Sequence, residues 1–483
     1  MSTTTQDIVQ KLWNLCNVLR DAGITYQQYV TELTFLLFLK MAQETSQEKQ
    51  LPAGYRWADL KDQDGTEQLA FYRGLLLRLG SHGSAQVQAI FRNASTALKE
   101  PRHLRTLVEA IDRLDWFEAR TQGLGDLYEG LLEKNASELK SGAGQYFTPR
   151  PLIDCIVARV QPRPGEVVQD PAAGTGGFLV AAHNWTREHH DIFELTTAQQ
   201  EFQIKDAVVA MELVEDVQRL LRMNLLLHDI EGRVAVGDTL SSEGARLPPA
   251  DIILTNPPFG TKKGGGGPTR DDFKYPTSNK QLAFLQHIYR GLKPGGRAAV
   301  VLPDNVLFED NIGRQIRQDL MDKCDLHTVL RLPTGIFYAQ GVKTNVLFFT
   351  KGKTDKGNTR EVWVYDMRSN MPSFGKRTPF TRAHFTEFEA LYGDDPHGKS
   401  KRKDQGETGR FRKFTREELA RRGDNLDITW LKDDSAGNHD ELGEPVEIAA
   451  QILALLRTAT EEIEALQIDL GATPADSERG AGS

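Results

Sequence analysis

A short apolar run that ends in a rigid polar turn constrains the fold of this chain more than any other segment. Residues Ala250 to Thr255 are predicted to form a buried parallel strand, and Asn256-Pro257-Pro258-Phe259 follows at once. The two prolines restrict the backbone and stiffen the turn. Open α/β sheets bind ligands at the carboxyl ends of their strands. The segment therefore predicts an α/β sheet with a ligand site at this turn.

The turn carries groups that suit a planar ligand with an amino group. Asn256 offers a side-chain oxygen and Pro257 a backbone carbonyl as acceptors, and Phe259 offers a flat face for stacking. An exocyclic amino group on an aromatic ring would contact all three. A rigid turn with a buried Phe is the structural alternative, which this segment alone leaves open.

A glycine-rich loop follows an earlier predicted strand, Glu166 to Asp170. The loop runs from Pro171 to Gly177 and leads into a predicted helix. Its small residues let a ligand approach the backbone and the free N–H groups of the helix start. The dinucleotide pattern G-x-G-x-x-G fails because Leu179 occupies the third glycine position. A nucleoside without phosphates fits this loop better, although a structural turn is the alternative.

Acidic residues follow the next two predicted strands. Glu212 ends the strand Ala207 to Met211, where a carboxylate can bind a ribose diol through two hydrogen bonds. Asp238 follows the strand Arg233 to Val236 and can accept a hydrogen bond from an adenine amino group. The long interval between Gly174 and Glu212 predicts an insertion around residues 188–205. Taken alone, Glu212 also fits a solvated strand end and Asp238 a simple turn.

The remaining pattern predicts three further parts of the chain. Strands and helices alternate from about residue 150 to 350, which indicates a doubly wound, mainly parallel sheet covered by helices. Before about residue 140, apolar residues recur at helical spacing, which predicts an all-helical N-terminal domain. Residues Glu444 to Leu470 are predicted to form an amphipathic helix that docks on a partner or packs on its own domain.

Charge and cysteine content limit the function classes. A net charge of −8 is unfavourable for a protein that holds DNA by itself, so a partner with a basic surface is expected if DNA is the ligand. The basic stretch 398–413 can meet phosphates or be a solvated loop. Lys262-Lys263 and the glycines Gly264 to Gly267 can be a mobile loop near the DNA or a disordered surface loop with no role. Three distant cysteines form no metal pattern and favour a reducing cytoplasm. No apolar run has membrane-spanning length.

In combination, these motifs resemble those of the S-adenosylmethionine-dependent amino-methyltransferases of DNA. The resemblance rests on Gly174-x-Gly176 after Asp170, on Glu212 one strand later and on Asn256 to Phe259 two strands after that. The segment Gln145 to Arg150 is similar to the cofactor motif of the subclass with this motif order. The helical N-terminal part, Arg410 to Phe414 and Asn425 to Trp430 resemble the modification subunit of type I restriction-modification systems.

The resemblance implies a Rossmann-like methyltransferase sheet and a role for each matching residue. The residues expected to bind S-adenosyl-L-methionine are Gln145, Tyr146, Phe147, Thr148, Pro149, Arg150, Asp170, Gly174, Thr175, Gly176, Gly177, Glu212 and Asp238. The residues expected to hold the target adenine are Asn256, Pro257, Pro258 and Phe259, and no metal is expected. Phe259 stands where many relatives have Tyr, and Asn256 favours adenine over cytosine, for which the first position is usually Ser.

The resemblance also implies an assembly. We expect a helical N-terminal domain for partner contact (1–138), a catalytic domain (139–420), a helical C-terminal segment for partner docking (421–471) and a disordered tail (472–483). The expected activity is cytoplasmic adenine-N6 methylation of double-stranded DNA with the target adenine flipped out. Expected partners are a specificity subunit, a restriction/translocase subunit and a second copy of this chain, with no membrane. Alternatives are methylation of a protein glutamine side chain and a non-catalytic, cofactor-binding scaffold.

Overall fold

A computed structural model gives the fold of the chain. It describes residues 5–20, 23–45, 48, 51–114, 116, 128–132, 148–260, 268–337, 343–372, 374–375, 378–431 and 460. The predicted helix Glu444 to Leu470, apart from residue 460, and the predicted tail 472–483 lie outside these residues.

Helices alone build the described part of the N-terminal region, as the apolar spacing predicts. They are α1 (Thr5–Arg20), α2 (Tyr26–Glu44), α3 (Trp57–Lys61), α4 (Gly65–Leu79), α5 (Ala85–Phe91) and α6 (Pro101–Asp112). Residues 128–132 are also helical and are called the 128–132 helix below. The apolar faces of these helices meet in one core, and α2 lies almost wholly buried at its centre. No helix of the described residues is long and apolar enough to cross a bilayer.

One mixed sheet forms the centre of the second part. Its strands are β1 (Val168–Asp170), β2 (Val208–Glu212), β3 (Arg233–Val236), β4 (Ala250–Thr255), β5 (Leu292–Pro303), β6 (Cys324–Arg331), β7 (Thr344–Lys351), β8 (Glu361–Asp366) and β9 (Phe411–Thr415). They lie in the order β3-β2-β1-β4-β5-β7-β6-β8-β9. The first five are parallel, β7 is antiparallel to both neighbours, β6 and β8 are parallel, and β9 is antiparallel to β8. The predicted doubly wound, mainly parallel sheet is confirmed.

Helices cover both faces of this sheet. They are α7 (Arg150–Val160), α8 (Gly177–His189), α9 (Thr197–Lys205), α10 (Glu215–Leu227), α11 (Lys280–Gly291), α12 (Asn305–Phe308), α13 (Ile312–Lys323), α14 (Thr386–Tyr392) and α15 (Arg416–Arg421). Short 3-10 turns occupy Ile192–Glu194, Gly244–Arg246, Arg382–Phe385 and Gly406–Thr408. Helices α7, α8 and α14 pack with one apolar face of the sheet, and α11 and α13 with the other. Helix α9 fills the expected insertion before β2.

Two features of the sheet differ from the sequence prediction. The segment Lys293 to Gly296 has the Pro and Gly residues that predict a turn, but it is an irregular part of β5, since Ala250 pairs with Leu292 and Ile252 pairs with Arg297. Strands β8 and β9 extend the sheet beyond the predicted strands. The C-terminal segment predicted to be helical from residue 421 does not begin as a helix, because residues 422–431 follow α15 without helix. Arg331 holds these residues by donating to Asp427 and to the carbonyl of Ile428.

Helix α10 joins the two parts of the molecule. Met223 contributes to the core of the N-terminal helices, whereas Leu221 and Leu225 contribute to the core beside the sheet. The buried Arg219 donates to the carbonyls of Ile90, at 2.8 Å, and Arg92, at 2.9 Å. The helix that follows Glu212 is therefore fixed from both sides.

Candidate active site

The predicted site residues that the structure describes lie at the carboxyl edge of the parallel strands. The strand order reverses between β1 and β4, because β2 and β3 continue to one side and β5 to the other. Ligands of open α/β sheets bind in the crevice at such a switch point. The glycine loop follows β1 and Asn256 follows β4, so this topology places the two motifs on opposite sides of one crevice.

Two glycines give the loop after β1 its shape. Gly174 and Gly176 have φ values of +52° and +86°, in the region that side chains disfavour. A Cβ atom on Gly176 would lie 2.5 Å from Leu221 Cδ1, so α10 packs directly against this backbone. A Cβ atom on Gly174 would meet no heavy atom of the described residues within 4 Å. The loop is therefore pressed against α10 at Gly176 and has open space at Gly174.

Glu212 holds this loop from the end of β2. One carboxylate oxygen accepts from the N–H of Gly174 and the other from the N–H of Val214, both at 2.9 Å. Burial raises the pKa of Glu212, although these backbone hydrogen bonds favour the ionised form. Each carboxylate oxygen retains acceptor capacity beyond these bonds. Glu212 can thus order the loop and still accept hydrogen bonds from a ligand.

Asp170 lies beneath the loop, with 2% of its surface exposed. Its carboxylate accepts from the N–H of Ala172 at 3.0 Å. Burial raises its pKa from 3.8 to about 7, and the negative charge of Glu212 adds to this shift. In the structure Asp170 therefore supports the first turn of the loop.

Asn256 has one satisfied and one free polar atom. Its Nδ2 donates to the Thr148 hydroxyl at 3.0 Å, which fixes the orientation of the side-chain amide. Its Oδ1 is buried and accepts no hydrogen bond from the described residues. An unpaired buried acceptor is costly. The site thus holds an oriented acceptor with spare capacity for a donor from a ligand.

The other residues of the Asn-Pro-Pro-Phe turn frame this acceptor. Pro257 is buried, and Pro258 and Phe259 are half-buried. Phe259 packs against the core beside α7 and α8. Gly260 ends the turn with a φ of +99°, and its carbonyl accepts from the N–H of Lys280 at 3.2 Å. Residues 261–267, with the predicted Lys262-Lys263 and glycine loop, lie outside the described residues.

Of the segment Gln145 to Arg150, the structure describes Thr148, Pro149 and Arg150. Thr148 contacts Asn256, and Pro149 precedes the first residue of α7. The Arg150 guanidinium donates to Asp154 at 2.9 Å and also to Glu129 of the 128–132 helix. Gln145, Tyr146 and Phe147 lie outside the described residues, so their cofactor roles stay predictions.

Asp238 shapes the turn after β3. Its carboxylate accepts from the N–H of Leu240 at 2.8 Å, and its backbone N–H donates to Glu243 at 3.2 Å. The adjacent Thr239 hydroxyl donates to the carbonyl of Pro171, which ties this turn to the glycine loop. Asp238 therefore stands next to the crevice, and its contact with a ligand stays a prediction.

Comparisons with known proteins show the family to which this chain belongs. A family described as "N-6 DNA Methylase" matches residues 119–439, and the "HsdM N-terminal domain" matches residues 8–113. The methylase subunit of the type I restriction enzyme StySPI from Salmonella potsdam is 53% identical, covering 98% of this chain and 97% of its own. The chain belongs to the N-6 DNA methylase family. It is a type I methylase subunit and an adenine-N6 DNA methyltransferase.

Two further comparisons concern one relative of the methylase. The EcoKI methylase subunit of Escherichia coli K12 is 53% identical, covering 97% of this chain and 96% of its own. A crystal structure of the EcoKI M protein superposes with a TM-score of 0.57 at 47% identity and covers 99% of both chains. The likeness therefore includes the helical N-terminal part as well as the methyltransferase sheet.

The basic stretch of the methylase is largely engaged within the protein. The Arg402 guanidinium lies 4.6 Å from the ring centre of Tyr392 and donates to the Thr328 hydroxyl at 2.9 Å. Arg410 donates to the carbonyl of Asp366 at 2.9 Å, and Lys413 lies 3.4 Å from Glu361. These contacts favour a structural role over phosphate binding for much of the stretch 398–413.

Several supporting residues have no recognisable sequence motif. Asn224 of α10 donates to the carbonyl of Thr175 at 2.9 Å and so holds the glycine loop. The Arg368 guanidinium donates to both carboxylate oxygens of Asp304, which follows β5 at the same edge of the sheet. Burial opposes ionisation of Asp304, but Arg368 outweighs it and lowers the Asp304 pKa. In the sequence, the position of Asp304 directly after the apolar run of β5 is the one indication of the Asp304–Arg368 pair.

Proposed function

We propose that Asn256 Oδ1 and the Pro257 carbonyl accept the two N–H bonds of the target adenine amino group. The observation that supports this role is the buried Oδ1 of Asn256, which has no donor among the described residues while Thr148 fixes its amide. Phe259 stacks on the adenine ring in this proposal. A base in a DNA duplex is inaccessible to this buried acceptor, so the target adenine is flipped out of the helix.

The two acceptors activate a weak nucleophile. The N6 lone pair of adenine is delocalised into the ring, and hydrogen bonds from both N–H groups draw the nitrogen towards tetrahedral geometry. The lone pair then localises on N6 and points away from the two acceptors. Orienting the amine in this way supplies much of the rate acceleration. A strong base is not needed, because the amine becomes acidic once it is alkylated.

The residues of the crevice fit S-adenosylmethionine, whose sulfonium provides an electrophilic methyl group when it is bound. The open space at Gly174 admits a ligand against the loop backbone, and Glu212 retains acceptor capacity for a ribose diol. Leu213, which is 62% exposed beside Glu212, offers an apolar surface to an adenine ring. Thr175, Gly176, Gly177, Asp238 and the segment Gln145 to Arg150 complete the proposed cofactor site, with Asp170 supporting the loop.

The proposed division of the chain assigns sequence recognition to a partner. A net charge of −8 is unfavourable for binding DNA alone, and the internal contacts of Arg402, Arg410 and Lys413 reduce the basic charge that the stretch 398–413 offers to DNA. In the proposal a specificity subunit reads the DNA, a restriction/translocase subunit cleaves it, and a second copy of the methylase completes the cytoplasmic complex. Segments 1–138 and 421–471 make the partner contacts, and segment 139–420 carries the chemistry.

Mapping N6-methyladenine in host DNA tests the catalytic proposal. Single-molecule sequencing would compare the wild type with Asn256→Ala and with Glu188→Gln, which changes an exposed side chain on α8 outside the site. We expect methylation at one two-part asymmetric motif to vanish in Asn256→Ala and to persist in Glu188→Gln. Unchanged methylation in Asn256→Ala at normal protein levels would refute the proposed role of Asn256.

A further inference from the structure

The 128–132 helix is fixed to the N-terminal helices by one of its faces. Tyr128, Leu131 and Leu132 are buried in the core of those helices. The Tyr128 hydroxyl lies 3.2 Å from the Thr34 hydroxyl on α2. The position of this helix therefore follows the position of the N-terminal helices.

Glu129 is half-buried next to this face and contacts the methyltransferase part at two places. One carboxylate oxygen accepts from the Arg150 guanidinium, and the other lies 3.4 Å from Asn224 Nδ2. Neither partner belongs to the N-terminal helices, because Arg150 begins α7 and Asn224 lies on α10. Glu129 is thus a single carboxylate that spans the junction between the two parts.

Both contacts of Glu129 lead into the candidate active site. Asn224 is 1% exposed, and its Nδ2 also donates to the carbonyl of Thr175 in the glycine loop at 2.9 Å. Its two N–H bonds therefore serve Glu129 and the loop together. On the other side, Arg150 is two residues from Thr148, the hydroxyl that orients Asn256. Through Asn224, the Glu129 carboxylate is one residue away from the cofactor loop, and through Arg150 it contacts a residue two positions from the one that orients the catalytic amide.

We infer that Glu129 is a positioning residue that couples the N-terminal helices to the cofactor loop through Asn224. The inference rests on the proposed function, since it takes the glycine loop as the S-adenosylmethionine site. With Glu129 in place, the Asn224 amide is held against Thr175 and the loop keeps its binding shape. Displacement of the N-terminal helices releases that amide and weakens cofactor binding. By linkage, bound cofactor also stabilises the junction.

Calorimetric titration of the full-length chain with S-adenosylmethionine tests the coupling. The variants are Glu129→Ala, Asn224→Ala and their combination. The control is Gln86→Ala, which removes another contact between the two parts, from Gln86 Nε2 to the carbonyl of Glu231 at 3.4 Å, away from the loop. We expect each single variant to weaken binding by about two- to tenfold, as for one lost hydrogen bond. The combined variant should weaken it by less than the product of the two, while Gln86→Ala binds like the wild type.

Hydrogen exchange distinguishes coupling from a general loss of structure. In the wild type and in Gln86→Ala, S-adenosylmethionine should slow exchange in residues 128–132, and in Asn224→Ala this protection should be absent. Thermal melts without cofactor should show all variants folded, and the isosteric Glu129→Gln serves if Glu129→Ala does not fold. Binding by the Glu129 variants equal to that of Gln86→Ala would overturn the inference.

A further variant, Glu212→Ala, separates the inference from the proposed function. Loss of cofactor affinity in Glu212→Ala together with wild-type affinity in Glu129→Ala would leave the cofactor site in place and remove Glu129 from it. Wild-type affinity in Glu212→Ala itself would overturn both the cofactor site and the coupling that rests on it.

Discussion

The side-chain amide of Asn256 donates to the hydroxyl of Thr148 at 3.0 Å, and with Nδ2 on this hydroxyl the buried Oδ1 has no donor among the described residues. An asparagine side chain can rotate by half a turn with little change in shape. The hydroxyl of Thr148 accepts the Nδ2 hydrogen and so leaves Oδ1 as the free group. Two motifs more than one hundred residues apart thereby form one unit.

Removing the Thr148 hydroxyl should slow methyl transfer without abolishing folding. Thr148→Val keeps the shape of the side chain but takes away the acceptor for Asn256 Nδ2, so the amide loses its fixed orientation. We expect kcat to fall by on the order of tenfold, as for one lost hydrogen bond. The affinity for S-adenosylmethionine should change less. Thr148→Ser is the matched control, and steady-state methylation of DNA by the assembled methylase gives both constants. Equal kcat for the Val and Ser variants would contradict the orienting role.

Glu212→Gln should weaken cofactor binding. The carboxamide places an N–H group against a backbone N–H of Gly174 or Val214, so one of the two bonds at 2.9 Å is lost and the loop loosens. Glu212→Gln also weakens the proposed contact with the ribose diol. Because of these two losses, we expect the Kd for S-adenosylmethionine to rise by on the order of tenfold or more. Calorimetry would compare it with Glu188→Gln, an exposed carboxylate outside the site. A rise of the same size in both variants would refute the assignment.

Asp170 should make the stability of the methylase depend on pH. Its pKa in the folded protein is about 7, above the ordinary 3.8, because burial disfavours the charge. For an acid with a raised pKa, the folded state binds more protons than the unfolded state between about pH 4 and 7. The contribution of Asp170 to the free energy of unfolding is therefore greatest below about pH 4 and is lost as the pH rises to about 7.

The variant Asp170→Asn isolates this effect because it keeps an acceptor for the N–H of Ala172. We expect the free energy of unfolding of the wild type, relative to Asp170→Asn, to fall by about 3 kcal/mol between pH 5 and 8. Urea unfolding at intervals of one pH unit measures the difference. A difference that does not change with pH would show that Asp170 does not titrate in this range.

Arg402 should matter for stability rather than for DNA binding. It packs on Tyr392, donates to Thr328 and has its pKa lowered by burial. Arg402→Ala should lower the free energy of unfolding by about 2 kcal/mol or more. The exposed Lys401→Ala should change it by less than about 0.5 kcal/mol. Denaturant unfolding measures the free energy of unfolding of both variants. A loss below about 0.5 kcal/mol in Arg402→Ala as well would contradict the structural role and favour a phosphate-binding role for Arg402.

The fold was predictable wherever local patterns agree with the tertiary structure. Strand β4 is an uninterrupted apolar run, and the positive-φ loop after β1 needs glycine at two positions, so both appear directly in the sequence. The segment Lys293 to Gly296 reads as a turn because it contains Pro and two Gly residues. Pairing of Leu292 with Ala250 nevertheless keeps it within β5, an effect of tertiary contact that local propensity does not contain.

The residues that support the site were less predictable than the site itself. Asn256 and Glu212 follow strands, so their position has a sequence signal. Asn224 lies inside a helix, where its role depends on the carbonyl of Thr175, 49 residues away in the chain. Glu129 lies in a helical stripe whose apolar members predict only packing. Long-range hydrogen bonds of this kind leave no periodic pattern to read.

The most direct test of the account is a structure of the assembled methylase with its DNA and an unreactive analogue of S-adenosylmethionine. We predict that the target adenine lies outside the duplex, with its N6 atom within about 3.2 Å of both Asn256 Oδ1 and the Pro257 carbonyl. The adenine ring should face Phe259. An adenine that remains stacked, or an N6 atom held by other groups while Asn256 Oδ1 faces elsewhere, would contradict the central role of Asn256.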